Sequence, residues 1–164
     1  MKSVGMIVFI KICDKLFAIL QKRGEYNFEK GLKDGIKTES YAGALQVTVH
    51  GKCENEESPM DTLVRETPEE IGINFYRWFK KDKLASLTTC ENAITYGYMY
   101  NGDPEPLFSS IRLHSGSGGL ILVEKKSIIE NLLPENKTPG IRYRQEFRMF
   151  PDEIEALKKG FEIF

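Results

Sequence analysis

Three carboxylates near the middle of the chain have the spacing that binding a cation would require. Glu66, Glu69 and Glu70 stand at positions i, i+3 and i+4, so their side chains share one face of a helix. Like charges at this spacing repel one another, and each pair costs about 0.2–0.5 kcal/mol. Three such carboxylates favour a counter-ion, and hard oxygen ligands suit Mg²⁺ or Mn²⁺ with coordination positions left open for phosphate oxygens.

The residues on either side predict the helix that carries these carboxylates. Ser58 is a good N-cap, Pro59 suits the first helical position, and Gly72 is a typical helix stop. A helix is therefore predicted over Pro59–Ile71. The carboxylates stand near its C-terminal end, where the helix dipole disfavours anions, and this strengthens the prediction of a bound cation.

The loop and helix around the three carboxylates follow a longer pattern. Between Gly51 and Ile73 the sequence follows the pattern G-x5-E-x7-R-E-U-x-E-E-x-G-U, in which U denotes an apolar residue, except that Thr67 occupies the first U position. The fixed charged and glycine positions are all present, namely Gly51, Glu57, Arg65, Glu66, Glu69, Glu70 and Gly72. If each fixed residue occurs at roughly 7% frequency, seven matches arise by chance about 10⁻⁸ times per register. The stretch resembles the Nudix box, the signature of hydrolases that cleave nucleoside diphosphates linked to another group.

The resemblance implies a role for individual residues of the pattern. In Nudix enzymes the residues matching Glu66, Glu69 and Glu70 hold Mg²⁺ or Mn²⁺, and the residue matching Arg65 positions neighbouring carboxylates. A backbone carbonyl just before the first box glycine often joins the metal, and here that is the carbonyl of His50. The predicted site residues are therefore, as catalytic residues, Arg65, Glu66, Glu69 and Glu70; as metal ligands, Glu66, Glu69, Glu70 and His50; and as a substrate-binding residue, Lys52.

Several of these positions allow a second interpretation. The side chain of His50 either touches a substrate phosphate or base, or only orders the loop. Lys52 either meets a phosphate or is a solvated loop lysine, and Arg65 often works together with the residue matching Glu57. Nudix enzymes often recruit a further Glu from a later loop as general base, and the candidates outside the box are Glu91, Glu105, Glu124 and His114.

Two residues depart from the usual box pattern near its catalytic end. Thr67 stands where an apolar residue is expected on the core side of the helix, and its hydroxyl can bond back to the Leu63 carbonyl. Pro68 has no N–H to give to the Val64 carbonyl, and its ring clashes with that carbonyl. In a regular helix this costs up to about 3 kcal/mol.

These departures leave two functions open. The first is a metal-dependent hydrolase that cleaves a pyrophosphate linkage in a nucleoside diphosphate linked to another group. The second is a catalytically weak or inactive Nudix-fold protein that binds a nucleotide without turning it over. Isomerases of prenyl diphosphates share the fold, but their motif usually departs further from the box than this chain does.

The resemblance also implies a fold of the α/β (α+β) class, a mixed sheet sandwiched between helices with the box as a loop-helix-loop motif. The length of 164 residues predicts a single domain over residues 1–164, which buries about 70% of its unfolded surface. Strands are predicted at Val4–Ile12, Leu16–Gln21, Leu45–His50, Leu84–Cys90, Ala93–Tyr100, Leu107–Leu113 and Leu120–Val123. Helices are predicted at Pro59–Ile71, Lys126–Leu133 and Asp152–Phe161, loops at Lys22–Ser40, Asn101–Pro106 and Ser115–Gly119, and either state at Phe75–Lys81.

Composition narrows the classes of partner. Hydrophobic residues make up 41% of the chain and charged residues 29%, and the net charge of −1 gives no basic footprint for duplex nucleic acid. A small nucleotide is therefore the expected partner. Met1–Ile12 is apolar but too short to span a membrane. The three cysteines are odd in number and lack metal-binding spacing, which predicts a reducing, cytoplasmic setting.

Overall fold

The computed structural model describes residues 2–27, 37–135 and 147–164. Within these ranges the strands are β1 (Ser3–Ile12), β2 (Lys15–Arg23), β3 (Tyr26–Asn27), β4 (Lys37–Thr38), β5 (Leu45–Gln46), β6 (Val49–Lys52), β7 (Ala85–Cys90), β8 (Ala93–Tyr100), β9 (Ser117–Glu124), β10 (Leu133–Pro134) and β11 (Arg148–Met149). The α-helices are α1 (Pro59–Ile71), α2 (Phe75–Trp78), α3 (Pro104–Ser110), α4 (Lys125–Asn131) and α5 (Pro151–Ile163), and a 3₁₀ turn covers Lys81–Lys83. None of the helices in these ranges is long and apolar enough to cross a membrane.

A seven-stranded mixed sheet forms the centre of the described structure. Along its main path the strand order is β5-β2-β1-β8-β7, with β6 paired to β1 and β9 paired to β2. Strands β1 and β8 run parallel, and the other pairs in this sheet run antiparallel. β1 is buried from Val4 to Ile10, as expected for a central strand with both faces covered.

Helices cover both faces of this sheet. Alternate residues of β1 belong to two different cores, because successive side chains of a strand point to opposite faces. On one face Val8 packs in a cluster with residues of α1, α2 and α3, including Leu63. On the other face Phe9 packs in a cluster with residues of α4 and α5, including Leu157. The predicted fold, a mixed sheet sandwiched between helices, is confirmed.

The sheet divides where β1 and β2 separate, and we call this place the fork. The two strands pair as a hairpin as far as Val8 and Ile19 and then diverge. β6 continues the ladder with β1, and β5 continues it with β2. At the branch point the Thr48 hydroxyl accepts a hydrogen bond from the Val8 N–H at 2.8 Å and donates one to the Ile19 carbonyl. The single strand predicted over Leu45–His50 is therefore wrong, since it is divided into β5 and β6, which pair with different neighbours.

A helix replaces another predicted strand. The sequence predicts a loop at Asn101–Pro106 followed by a strand at Leu107–Leu113, but α3 spans Pro104–Ser110. The Asp103 side chain accepts a hydrogen bond from the Glu105 N–H at 3.1 Å and caps the helix. This local start signal, with proline at the first helical position, outweighs the apolar residues that suggested a strand.

The remaining differences concern the ends of elements. The ambiguous segment Phe75–Lys81 begins as the single helical turn α2. The predicted loop Lys22–Ser40 starts within β2 and ends beyond the short strand β4, and its residues 28–36 lie outside the described residues. Strand β9 begins at Ser117, inside the segment predicted as a flexible loop.

Glu153 connects helix α5 to the fork. It lies three residues after the N-cap residue Phe150 and is buried. Burial, followed by the charge of Asp152, raises the pKa of the Glu153 carboxyl to about 8, while hydrogen bonds from the backbone of Val47 and Phe150 act to lower that pKa. Val47 lies between β5 and β6, so the carboxyl joins the start of α5 to the chain in the fork.

The raised pKa of Glu153 predicts that stability falls as pH rises. Between its ordinary value of 4.5 and the folded value of about 8, the unfolded chain loses this proton while the folded chain keeps it. The free energy of unfolding therefore decreases across that interval and levels off above it. Thermal melts at pH 5 to 9 should show a falling Tm in the wild type and a flatter profile in Glu153→Gln. Glu155→Gln, at an exposed site on the same helix, should follow the wild type. Equal slopes for Glu153→Gln and the wild type would contradict the assignment.

Candidate active site

Helix α1 carries the predicted site and begins and ends as predicted. The Ser58 side chain accepts a hydrogen bond from the Asp61 N–H at 3.2 Å, and Pro59 occupies the first turn. Gly72 has φ of 72°, a left-handed conformation that favours glycine, and its N–H bonds to the Pro68 carbonyl at 3.0 Å. The prediction of a helix over Pro59–Ile71 is confirmed.

The two unusual box residues, Thr67 and Pro68, are both accommodated within this helix. Thr67 is fully buried, and its hydroxyl donates a hydrogen bond to the Leu63 carbonyl at 2.6 Å, as predicted. Pro68 lies on the exposed side, and α1 continues past it for three residues. Because proline has no N–H, the Val64 carbonyl lacks its usual helical donor. The helix therefore continues through Pro68 with one of its backbone hydrogen bonds missing.

Arg65 connects the helix to the loop that precedes it. Its Nε and Nη2 donate to the two carboxylate oxygens of Glu57, both at 3.0 Å, and Nη2 also donates to the Lys52 carbonyl at 3.0 Å. This bidentate pair holds the pKa of Glu57 down at about 2 and raises the pKa of Arg65. The remaining amine, Nη1, lies 2.7 Å from Glu66 Oε1 and 3.4 Å from Glu69 Oε2. The side chain of Lys52, the last residue of strand β6, is exposed.

Glu66 lies against the backbone of strand β6. A Cβ atom built on Gly51 would collide with the Cγ, Cδ and Oε1 atoms of Glu66, so only glycine leaves room for this carboxylate. The glycine of the pattern is thus explained by a close approach of helix to strand. Burial raises the pKa of Glu66, and the hydrogen bond from Arg65 opposes that shift.

His50 precedes this glycine in the same strand. It pairs with Gly5 of β1, so its carbonyl belongs to the short segment of β6 that Glu66 approaches. Burial, followed by the positive charge of Arg23, lowers the pKa of its half-buried side chain, while Glu70 acts to raise it. His50 therefore lies next to the glycine that Glu66 contacts, and its side chain is close enough to Glu70 for that carboxylate to affect its pKa.

Glu70 is held from two sides. Its Oε2 accepts a hydrogen bond from Gln21 Nε2 at 3.1 Å and lies 3.2 Å from His114 Nε2. His114 Nδ1 accepts from the Gly116 N–H at 3.1 Å, so its Nε2 carries the hydrogen that faces Glu70. The Arg112 N–H also donates to the Ile71 carbonyl at 2.8 Å, which fastens this loop to the end of α1.

These contacts separate the candidates for a general base. Of the four residues considered from the sequence, His114 contacts the box. Glu91 and Glu105 are exposed on other elements, and Glu124 pairs with Lys15 at 3.5 Å. Gln21 could not be predicted from the sequence, since a glutamine near the end of a strand gives no signal except that it follows an apolar run.

The donor set has the chemistry of a divalent cation site, although its members do not converge. Among the described residues, no three His, Cys, Asp or Glu side chains stand together as a ready metal site. Arg65 draws Glu66 and Glu69 to one side, and Glu70 turns to Gln21 and His114 on the other. Carboxylate oxygens on one helix face nevertheless fit Mg²⁺ or Mn²⁺.

The chain is similar to known proteins in its three-dimensional structure. No protein-family model matches the sequence, and no curated protein matches it. The NUDIX domain of Shewanella oneidensis NrtR, complexed with ADP ribose, superposes with a TM-score of 0.59 at 10% identity over 99% of this chain and 87% of that chain. A Listeria monocytogenes protein assigned to the Nudix hydrolases gives 0.54 at 15% identity over 99% and 94%. The MutT protein of Methanosarcina mazei gives 0.52 at 16% identity over 98% and 91%.

At these identities the similarity concerns the fold. It extends over nearly the whole of this chain, and the box pattern lies on the loop and helix α1 next to the central sheet. The chain is therefore a Nudix-fold protein.

Proposed function

We propose that this protein is a metal-dependent hydrolase that cleaves the pyrophosphate linkage of a nucleoside diphosphate joined to another group. The observation that carries the proposal is the arrangement of three carboxylates on one face of α1. Glu66 is fitted against the backbone of Gly51, and Glu70 is fixed from the opposite side by Gln21 and His114. The fold shared with solved Nudix proteins supports the same function.

The cation ligands of this proposal are Glu66, Glu69 and Glu70, with the carbonyl of His50. A bound Mg²⁺ or Mn²⁺ would supply charge neutralisation at the phosphate oxygens and activation of the attacking water. Glu69 is the carboxylate most easily recruited, because its side chain is 60% exposed and its contact with Arg65 is 3.4 Å. Arg65 keeps its two 3.0 Å bonds to Glu57 throughout and so holds the loop in place.

Lys52 is the proposed contact for the substrate phosphates. Its side chain is exposed, and its backbone carbonyl is held by Arg65 at 3.0 Å, so the lysine stands at the anchored end of strand β6, close to the carboxylates. The ammonium group of Lys52 can attract phosphate oxygens at this position without being part of the metal site. Lys52→Ala should therefore weaken substrate binding more than it slows turnover.

A substrate panel with Mg²⁺ and with Mn²⁺ tests the function itself. ADP-ribose comes first, because the similar Shewanella domain is complexed with it. Nucleoside triphosphates, NADH, dinucleoside polyphosphates and coenzyme A complete the panel, with released monophosphate or phosphate as the readout. Metal-dependent turnover of one of them supports the proposal. Binding without turnover for every compound would support a nucleotide-binding protein instead.

Two observations favour that second candidate. Pro68 interrupts the hydrogen bonding of α1 next to Glu69 and Glu70. In addition, the cationic Arg65 is paired with Glu66 and Glu69 and so partly neutralises these two carboxylates, while Glu70 is occupied by its contact with His114. A Nudix fold with this arrangement can bind a nucleotide without hydrolysing it.

Loss of a single carboxylate charge should abolish turnover while the fold is kept. Glu66→Gln and Glu70→Gln each remove a charged ligand, which should reduce kcat by on the order of 10²-fold or more. The Tm measured without metal should hold or rise, because repulsion between the carboxylates is relieved. Glu56→Gln, at an exposed site in the preceding loop, is the control and should keep wild-type kcat. Near-native kcat in both variants would refute the assignment.

Pro68→Ala separates the enzyme from the binding protein. Alanine restores an N–H to the Val64 carbonyl and should stabilise the fold by about 1–3 kcal/mol in urea unfolding. For an enzyme, the repositioned last turn should lower kcat, because displacements near 1 Å can cost about 10²-fold.

The same variant gives the opposite result for a binding protein. There, Pro68→Ala should raise turnover or tighten metal binding. A destabilised Pro68→Ala variant would show instead that the helix tolerates the proline at no cost. Thr67→Val is the matched control, since it removes only the 2.6 Å bond to the Leu63 carbonyl on the buried side.

A further inference from the structure

Gln21 joins the predicted cation site to the sheet. It is fully buried at the end of β2, where β1 and β2 have separated. Its Nε2 donates to the Thr48 carbonyl at 2.8 Å and to Glu70 Oε2 at 3.1 Å. One amide nitrogen therefore ties the backbone of the fork to a carboxylate on the last turn of α1.

The orientation of this amide is determined by its partners. A backbone carbonyl and an ionised carboxylate can only accept hydrogen bonds, so the nitrogen of Gln21 must face them. The Oε1 atom consequently points away from Glu70, and it is buried without a donor in the described ranges. A buried acceptor of this kind is costly, which indicates that the Nε2 contacts are retained in spite of it.

Gln21 differs in charge from the other groups that contact the carboxylates. Arg65 is cationic and so competes with a metal ion for Glu66 and Glu69. The Gln21 amide is neutral and fixes one oxygen of Glu70 without cancelling its charge. The hydrogen bond is therefore compatible with a cation on the other carboxylate oxygen, which accepts no hydrogen bond from any described residue.

We propose that Gln21 is a positioning residue of the cation site, which holds Glu70 Oε2 against the sheet and leaves Oε1 directed to the divalent ion. The inference rests on the proposed function, because it assumes that Glu70 is a metal ligand. Groups that orient a metal ligand in this way are typically worth 10–100-fold in metal affinity. Gln21 acts through Glu70 and does not itself touch the substrate.

The test is a titration of the whole protein with Mn²⁺, in which binding is measured by calorimetry or by the electron paramagnetic resonance signal of free Mn²⁺. Gln21→Met keeps the length of the side chain and removes both hydrogen bonds, so the Mn²⁺ dissociation constant should rise about 10–100-fold. Gln46→Met is the matched control. Gln46 pairs with Gln21 across the strands and is also buried, but its Oε1 accepts from Arg23 at 3.0 Å. The Mn²⁺ dissociation constant of Gln46→Met should stay within about twofold of the wild-type value.

A second background separates positioning from a general loss of structure. In Glu70→Ala, the ligand that Gln21 is inferred to position is absent, so adding Gln21→Met should change the Mn²⁺ dissociation constant by less than about twofold. An equal loss in both backgrounds, or an equal loss in Gln46→Met, would overturn the inference. Where Gln21→Met does not fold, Gln21→Asn keeps the amide but shortens its reach, and the same expectations apply.

The failures of the two proposals have different signatures. If Glu66→Gln leaves Mn²⁺ affinity unchanged, the proposed cation site falls and the role of Gln21 falls with it. If Glu66→Gln weakens Mn²⁺ binding but Gln21→Met does not, the proposed function stands and the positioning role is overturned. A loss in both variants, absent in Gln46→Met, supports both.

Discussion

Strands β1 and β2 start as a hairpin and then admit two further strands between them, and this branching sets a demand on hydrogen bonding. Val8 and Ile19 form the last pair of the hairpin, and leaving the buried Val8 N–H or Ile19 carbonyl unpaired at this branch would cost about 1–3 kcal/mol. The Thr48 hydroxyl meets the demand, because a hydroxyl both donates and accepts.

The features of the candidate site depend on the placement of β6 beside β1. β6 carries Gly51, whose missing Cβ makes room for Glu66. The Thr48 carbonyl accepts a hydrogen bond from the Gln21 side chain, which also donates one to Glu70. Glu153 of α5 is bonded to the backbone of Val47 in the same segment. Polar side chains in the fork thus provide hydrogen-bond partners for its buried backbone groups. The same segment of chain holds two of the three box carboxylates, Glu66 and Glu70, against the sheet.

Features with local causes could be predicted from the sequence. Helix α1 was predictable because its cap, its stop and the spacing of its carboxylates all lie within the box. The back-bond of Thr67 follows from the same local geometry. Elsewhere, the hydrophobic periodicity predicted whether a segment forms a strand or a helix where the periodic segment was long. In α3 it was short, and the cap at Asp103 decided the structure.

Features that depend on distant contacts could not be predicted in this way. The alternation in Leu45–His50 is that of one strand, and only the separation of β1 from β2 breaks it at Thr48. Gln21 and His114 lie 49 and 44 residues from Glu70 in sequence, and tertiary folding alone brings them to it. The contacts of Arg65 with Glu57 and with the neighbouring carboxylates were expected from the resemblance to the Nudix box, but the contact of Gln21 with Glu70 was not.

The proposed function requires the face of α1 bearing Glu66, Glu69 and Glu70 to bind a divalent cation in the folded protein. The most direct measurement is the Tm as a function of Mg²⁺ or Mn²⁺ concentration, for the wild type and for the double variant Glu66→Gln/Glu70→Gln. A ligand that binds only the folded state stabilises it by about 2.7 kcal/mol at a hundredfold excess over its dissociation constant. If the cation binds this face of α1, the Tm of the wild type should rise with metal concentration, and the double variant should lose most of that rise. An equal rise in both proteins would contradict it, because the cation would then be bound elsewhere.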